Sequence, residues 1–222
     1  MTRTLPTLLL ATAFVAGGTW FFTRPGGGAE SLEIGAAFAQ DDAAEIDTST
    51  IPDMVKGSAD APVTVIEYAS FTCPHCATFH NEMLPELEET YIDSGEVRMI
   101  YREVYFDLPG LWASMIARCG GEERFFGISE MIYERQRTWT QGDGAAIAES
   151  LRQIGLAAGL TGDEVDACFT DAEKAQTLIA WYEENAAEDD VTSTPSFVIN
   201  GTKFEGNWST GLMDAVAAAV GE

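Results

Sequence analysis

A strand pattern that runs directly into Cys73-Pro74-His75-Cys76 constrains this chain more than any other feature. Val63-Thr64-Val65-Ile66-Glu67-Tyr68 is rich in β-branched residues and follows the turn signal Asp60-Ala61-Pro62, so it reads as a buried strand. Pro74 fits the first turn of a helix, where a missing N–H costs nothing. Phe79, Met83, Leu84 and Leu87 give that helix an apolar face at helical spacing, and Pro85 predicts a kink or break near residue 84. Two thiols are thereby placed at a helix N-terminus, close enough to join as a disulfide or to part.

The position has chemical consequences. Unpaired N–H groups and the helix dipole at such a terminus favour a thiolate over a thiol. Cys73 is therefore the expected sulfur that attacks and is attacked. Cys76, one turn inside, is the expected resolving sulfur and the more buried of the two. His75 lies between them, and a nearby imidazole further favours the Cys73 thiolate. A stabilised thiolate stabilises the reduced form, and a disulfide that is easily reduced is an oxidant. Glu67 sits in the middle of the apolar strand, six residues before Cys73. A carboxylate is costly there unless it is used. Buried near the motif it would relay protons to Cys76 as the disulfide opens; on an exposed strand face it would do nothing. His80, one turn after Cys76, is expected on the helix flank, a place facing the disulfide being the alternative.

A metal site is the competing use of paired cysteines, but such sites usually show a second ligand pair. Cys119 and Cys168 lie 43 and 92 residues beyond Cys76, and the only other histidine is His80. No metal and no cofactor are expected, with a non-catalytic metal-binding module as the alternative from another class. Four cysteines allow three pairings. Because Cys73 and Cys76 are near enough to bridge each other, Cys119 and Cys168 are the natural second pair. That bridge is expected to be structural, a second redox pair being the alternative.

The ends and the charge set the setting. Arg3 precedes an apolar run from Leu5 to Phe22, whose Leu8-to-Ala16 portion has the length of a signal-peptide core. Ala37-Phe38-Ala39 offers a late cleavage pattern, which would release 183 residues; without cleavage, residues 5–22 would anchor the chain. Either way the domain is expected to be exported to the periplasm, where disulfides persist. The chain carries 12 Lys+Arg against 36 Asp+Glu, a formal net charge of −24. Nucleic-acid binding needs a basic footprint, so it is excluded. Acidity of this degree serves solubility or the steering of basic partners.

The remaining chain divides simply. Residues 1–22 are the signal or anchor. Residues 23–54, with Gly26-Gly27-Gly28 and scattered acids, read as a flexible acidic linker. Residues 55–222 form the domain. Val97 to Val104 is a second strand, and about 109–187 is a helical insertion of three to five helices, with Thr161 and Glu164 set for a capping box. Ser196-Phe197-Val198-Ile199 and Thr202-Lys203-Phe204 are strands joined by the hairpin signal Asn200-Gly201. A last helix runs from about Thr210 to Val220. The order predicts an α/β fold, a central sheet with flanking helices and an inserted helical domain.

The segment from Glu67 to Cys76, the Thr194-Pro195 pair and the hairpin after it resemble the DsbA-like family of thioredoxin-fold proteins, over roughly residues 55–222. The resemblance implies a protein dithiol–disulfide oxidoreductase that introduces disulfides into exported proteins bearing cysteine thiols. It implies that the Thr194–Pro195 bond is cis, that these two residues hold the substrate backbone, and that Glu67 is the family's buried acid. It also implies a quinone-linked membrane reoxidant of DsbB type. Thr194 departs from the valine of the best-known oxidases and resembles the isomerase branch, so an isomerase or reductase is the alternative. The dimeric isomerases carry an N-terminal dimerisation domain; residues 23–54 are too short and polar for one, and a monomer is expected.

Overall fold

The computed structural model of the chain describes residues 46–221. The segment 1–22, the Ala39 site and most of the acidic linker lie outside the described residues.

Five strands form one mixed sheet in the order β1-β3-β2-β4-β5. They are β1 (Met54–Lys56), β2 (Val63–Ala69), β3 (Val97–Glu103), β4 (Ser196–Ile199) and β5 (Thr202–Lys203). β2 and β3 run parallel, with Val63 opposite Val97 and Val65 opposite Met99. All four of these side chains are buried, as expected of a central strand pair covered on its faces. β4 pairs antiparallel with β2, and β1 antiparallel with β3. The β4–β5 turn is the predicted hairpin: Asn200 (φ 48°) and Gly201 (φ 78°) both take positive φ, as a two-residue turn of this hand requires.

The β2–β3 crossover is a helical run, α1, over residues 74–92. It is α-helical at Pro74–Thr78 and Leu84–Leu87, and wound wider, in π geometry, at Phe79–Met83 and Glu88–Ile92. The predicted disturbance near residue 84 is therefore a widened turn rather than a break. Pro85 has no N–H to donate and its ring crowds the preceding turn, and widening relieves both.

The helical insertion holds six helices, where the sequence predicts three to five: α2 (Leu108–Cys119), α3 (Gly121–Glu134), α4 (Gln136–Trp139), α5 (Gly144–Ala157), α6 (Gly162–Thr170) and α7 (Ala172–Glu188). Asp107, Asp143 and Asp171 cap α2, α5 and α7 through their side chains. The predicted capping box is present at α6: the Thr161 hydroxyl accepts from the Glu164 N–H, and the Glu164 carboxylate accepts from the Thr161 N–H at 2.7 Å. A final helix, α8 (Trp208–Val220), starts two residues before the expected Thr210 because Asn207 caps it.

Sheet and insertion share one core. Phe71, Met99 and Tyr101 belong to the same buried cluster as Ile116, Phe125, Ile128 and Ile132. The linker ends earlier than residue 54. Ile51 is buried with Leu111, Met115, Leu178 and Trp181, and β1 begins at Met54. A three-residue strand shows no periodicity, and the partners of Ile51 lie far along the chain. Beside it, Arg118 of α2 makes a two-pronged ion pair with Glu103 of β3, 2.6 Å on each prong, and donates to the Pro52 carbonyl at 3.0 Å.

Candidate active site

β2 delivers the chain to the motif. After Ala69 the backbone turns, and the Cys73 N–H donates to the Ser70 carbonyl at 3.0 Å. Cys73 then occupies the N-cap of α1, with Pro74 in the first turn. The loop is held from two sides. The Thr72 hydroxyl donates to the Asp107 carboxylate at 2.9 Å, and the Gln136 amide donates to the carbonyl oxygens of Phe71 (2.8 Å) and Cys73 (2.9 Å). Gly110 leaves close quarters here: a Cβ would stand 3.1 Å from the Asp107 carboxylate and 3.3 Å from the Ser70 hydroxyl, so these neighbours would have to give by a few tenths of an ångström.

Both motif cysteines are free thiols, Cys73 partly exposed and Cys76 buried. Their surroundings push them apart. The Cys73 thiol is pulled down to about 5, chiefly by a hydrogen bond from the Cys76 thiol and further by Thr194 and by the N–H groups of Cys76 and His75, against some burial. Burial, the Cys73 sulfur and the Glu67 carboxylate push Cys76 far up. Cys73 is thus a thiolate at neutral pH while Cys76 keeps its proton. His75 is exposed, its ring centroid 6.5 Å from that of Trp208; its main-chain N–H acts on the Cys73 sulfur.

Thr194 and Pro195 face the pair. Their peptide bond is cis, and the Thr194 carbonyl lies 3.6 Å from Cys73 Sγ. Glu67 is fully buried, which raises its carboxyl above the usual carboxylate range. It is not on an exposed strand face. Cys119 and Cys168 are joined as a disulfide between α2 and α6.

His80 is not on the flank, where the sequence places it. Its side chain is 5% exposed, and its Nε2 lies 2.9 Å from Glu67 Oε2. The ring stacks on Tyr133 at 4.1 Å, and the Tyr133 hydroxyl lies 2.7 Å from that of Tyr101. Gln136 is the other residue that motif spacing could not find. A signal for His80 existed: i+4 from Cys76 is the same helix face, and that face packs on the strand holding Glu67.

A cleft of about 980 Å³ opens beside the motif, lined by Pro74, His75 and Thr78 of α1 and by Gln136, Arg137 and Gln141 of the insertion. Among the described residues, no helix is long and apolar enough to cross a membrane.

Comparison with known proteins agrees with this geometry. The thioredoxin family model matches residues 49–216. A Rickettsia bellii protein named "Putative protein-disulfide oxidoreductase" is 35% identical over 169 residues, 76% of this chain and 63% of that one. Disulfide bond formation protein D of Bacillus subtilis is 33% identical over 89 residues, 37% of this chain and 39% of its own. The crystal structure of alpha-DsbA1 from Wolbachia pipientis superposes with a TM-score of 0.69 at 25% identity, covering 78% of this chain and 94% of that one. The chain spans about three fifths of the length of the first of these curated relatives and its Rickettsia kin.

Proposed function

The chain belongs to the DsbA-like thioredoxin-fold family, and from that membership we propose that it is an exported thiol–disulfide oxidoreductase that introduces disulfide bonds into periplasmic or secreted proteins. The observation that carries this is the opposed pair of thiols at one helix end: Cys73 low, at about 5, and Cys76 high. A low first thiol stabilises the reduced protein and so makes its disulfide an oxidant.

The reaction starts from the Cys73–Cys76 disulfide. A client thiolate attacks Cys73 Sγ, the bond breaks, and its electron pair leaves on Cys76, which takes up a proton. A second client thiolate then attacks the client sulfur of the mixed disulfide. Cys73 departs as a thiolate stabilised by the helix N-terminus. Thr194 and Pro195, against Cys73, hold the client backbone, and the cleft beside Pro74 and His75 accommodates flanking client residues. Pro74 fixes the first turn on which the sulfur sits, and Glu67 serves the proton traffic of Cys76.

The apolar segment 5–22 supports export, and the protein acts in the periplasm as a monomer. A quinone-linked membrane protein of DsbB type reoxidises the pair. The deciding experiment equilibrates the protein with glutathione redox buffers and reads the potential of Cys73–Cys76. A value clearly above that of thioredoxin, about −270 mV, is expected. A value at or below it would overturn the oxidase in favour of a reductase, and vigorous repair of a scrambled multi-disulfide protein would favour the isomerase instead.

A further inference from the structure

Cys76 and Glu67 are both fully buried, yet the chemistry above requires a proton to reach and leave Cys76. Oε2 of Glu67 bonds His80, while Oε1 makes no hydrogen bond to any described residue. His80 also lines a second cavity, of about 70 Å³, behind α1. Lys56 of β1, Leu84, Pro85 and Glu88 of α1, and Phe126, Ser129 and Glu130 of α3 complete its wall. A buried water needs about 10–15 Å³ and two to four polar partners. The buried Ser129 hydroxyl, without a partner among the described residues, faces this space. Lys56 and Glu88, paired with each other and each about a third exposed, stand with exposed Glu130 where the cavity meets solvent.

We propose that His80 is the outward half of a proton relay, passing protons between the Glu67 carboxylate and water held in the cavity behind the active-site helix. The idea rests on the redox role proposed for Cys73 and Cys76. On reduction by a client, the Cys76 thiolate takes a proton from Glu67, Glu67 recovers one from His80, and His80 from cavity water. On reoxidation by an acceptor disulfide, the Cys73 thiolate attacks it and releases one acceptor thiolate. Cys76 then gives its proton to Glu67, attacks Cys73 Sγ and releases the second acceptor thiolate, while the proton leaves through His80.

The other groups facing His80 do not offer the route. Tyr101 of β3 and Tyr133 of α3 hydrogen-bond each other, and burial holds both phenols well above their usual range. Cys76, on α1 itself, is the inner end of the route, taking the proton on reduction and giving it up on reoxidation. His80 touches no reacting sulfur and is a positioning and relay residue.

The test follows reduced protein reacting with oxidised glutathione, quenched in acid and resolved by mass, so that the mixed disulfide at Cys73 is seen directly. His80→Phe should slow the closing attack by Cys76 on the order of a hundred-fold near neutral pH, the low end of what a positioned proton-transfer group contributes. The mixed disulfide should accumulate, the loss should fade as pH rises, and the Cys73 thiolate absorbance titration should stay in place. In His80→Ala, added imidazole should restore the rate; a merely structural role gives neither the altered pH profile nor the rescue. Wild-type closing rate and pH profile in His80→Phe would overturn the relay. If the His80 variants do not fold, Ser129→Val decides: slowed closing supports the relay and an unchanged rate overturns it. A wild-type protein that forms neither the mixed disulfide nor the Cys73–Cys76 disulfide with oxidised glutathione would instead defeat the redox role of the cysteines.

Discussion

The Gln136 side-chain amide donates to two main-chain carbonyls at once, those of Phe71 and Cys73. Gln136 is 5% exposed and belongs to α4. The helical insertion therefore reaches back and clamps the loop that presents the attacking sulfur. This gives the insertion a mechanical reason to exist beside the motif.

The clamp predicts the outcome of Gln136→Leu. The buried Phe71 carbonyl loses its donor, while that of Cys73 keeps the Ala77 N–H at 3.1 Å, and a stranded buried polar group costs about 1–3 kcal/mol. Urea unfolding of the reduced variant should show a loss in that range, or a melting temperature lower by about 2–4 °C for each kcal/mol. An unchanged midpoint would mean that the amide contributes nothing to holding the loop.

Much of this arrangement is legible in the sequence because it is locally encoded. The β-branched run before Cys73, Pro74 in the first turn, the Asn200-Gly201 hairpin and the Thr161–Glu164 box each depend on neighbours within a few residues, and each appears. Glu67 is legible for a different reason: a charge inside an apolar strand needs a use. What escapes depends on distant partners. β1 is three residues paired with β3, Ile51 is covered by side chains 60 or more residues away, and His80 meets Glu67 only once α1 has packed on β2. The π turn at Phe79–Met83 compounds this, because extrapolating a regular helix misplaces the side chains beyond it.

The low Cys73 thiol makes a prediction about pH. In the reduced folded protein this group titrates at about 5, whereas an ordinary cysteine in the unfolded chain titrates at about 8.5. Between those values the unfolded state binds more protons, so the reduced fold gains stability as pH rises and loses it as pH falls through about 5. The oxidised protein lacks this titration. Glu67, raised by burial, works the other way, losing stability as pH rises above its unfolded value. It is present in both forms and largely cancels from their difference. Calorimetry should therefore find the melting temperature of the reduced form, minus that of the oxidised form, growing from about pH 4.5 to about pH 8.5 and then shrinking, because Cys76, pushed up in the fold, keeps a proton there that the unfolded chain gives up. A flat or shrinking difference between about pH 5 and about pH 8 would show that Cys73 is not held as a thiolate.

Arg118 and Glu103 predict a sharper loss. Their side chains are 3% and 1% exposed, and the guanidinium also holds the Pro52 carbonyl, covers the Trp181 ring at 5.0 Å and so pins residues 51–52 to the insertion. Arg118→Leu leaves a buried carboxylate without its counter-charge, which costs about 3–5 kcal/mol. Adding Glu103→Leu removes the stranded charge and should recover a substantial part. Chemical denaturation of the single and double variants checks both steps. A double variant no better than the single would place the loss in the Pro52 and Trp181 contacts instead.

The second disulfide separates stability from catalysis. Cys119 and Cys168 are 49 residues apart and join α2 to α6. Closing a loop of that size restricts the unfolded chain by about 4 kcal/mol in the chain-entropy model. Replacing both by alanine should thus lower the melting temperature by about 8–16 °C for a domain of this size. The bridge lies on the insertion, across a set of residues that includes none of Cys73, Cys76, Glu67 or Thr194. Oxidation of a reduced model client at a temperature where the variant is folded should therefore proceed close to the wild-type rate. If instead client oxidation falls while the fold holds, the bridge is a redox partner of Cys73–Cys76 rather than a staple.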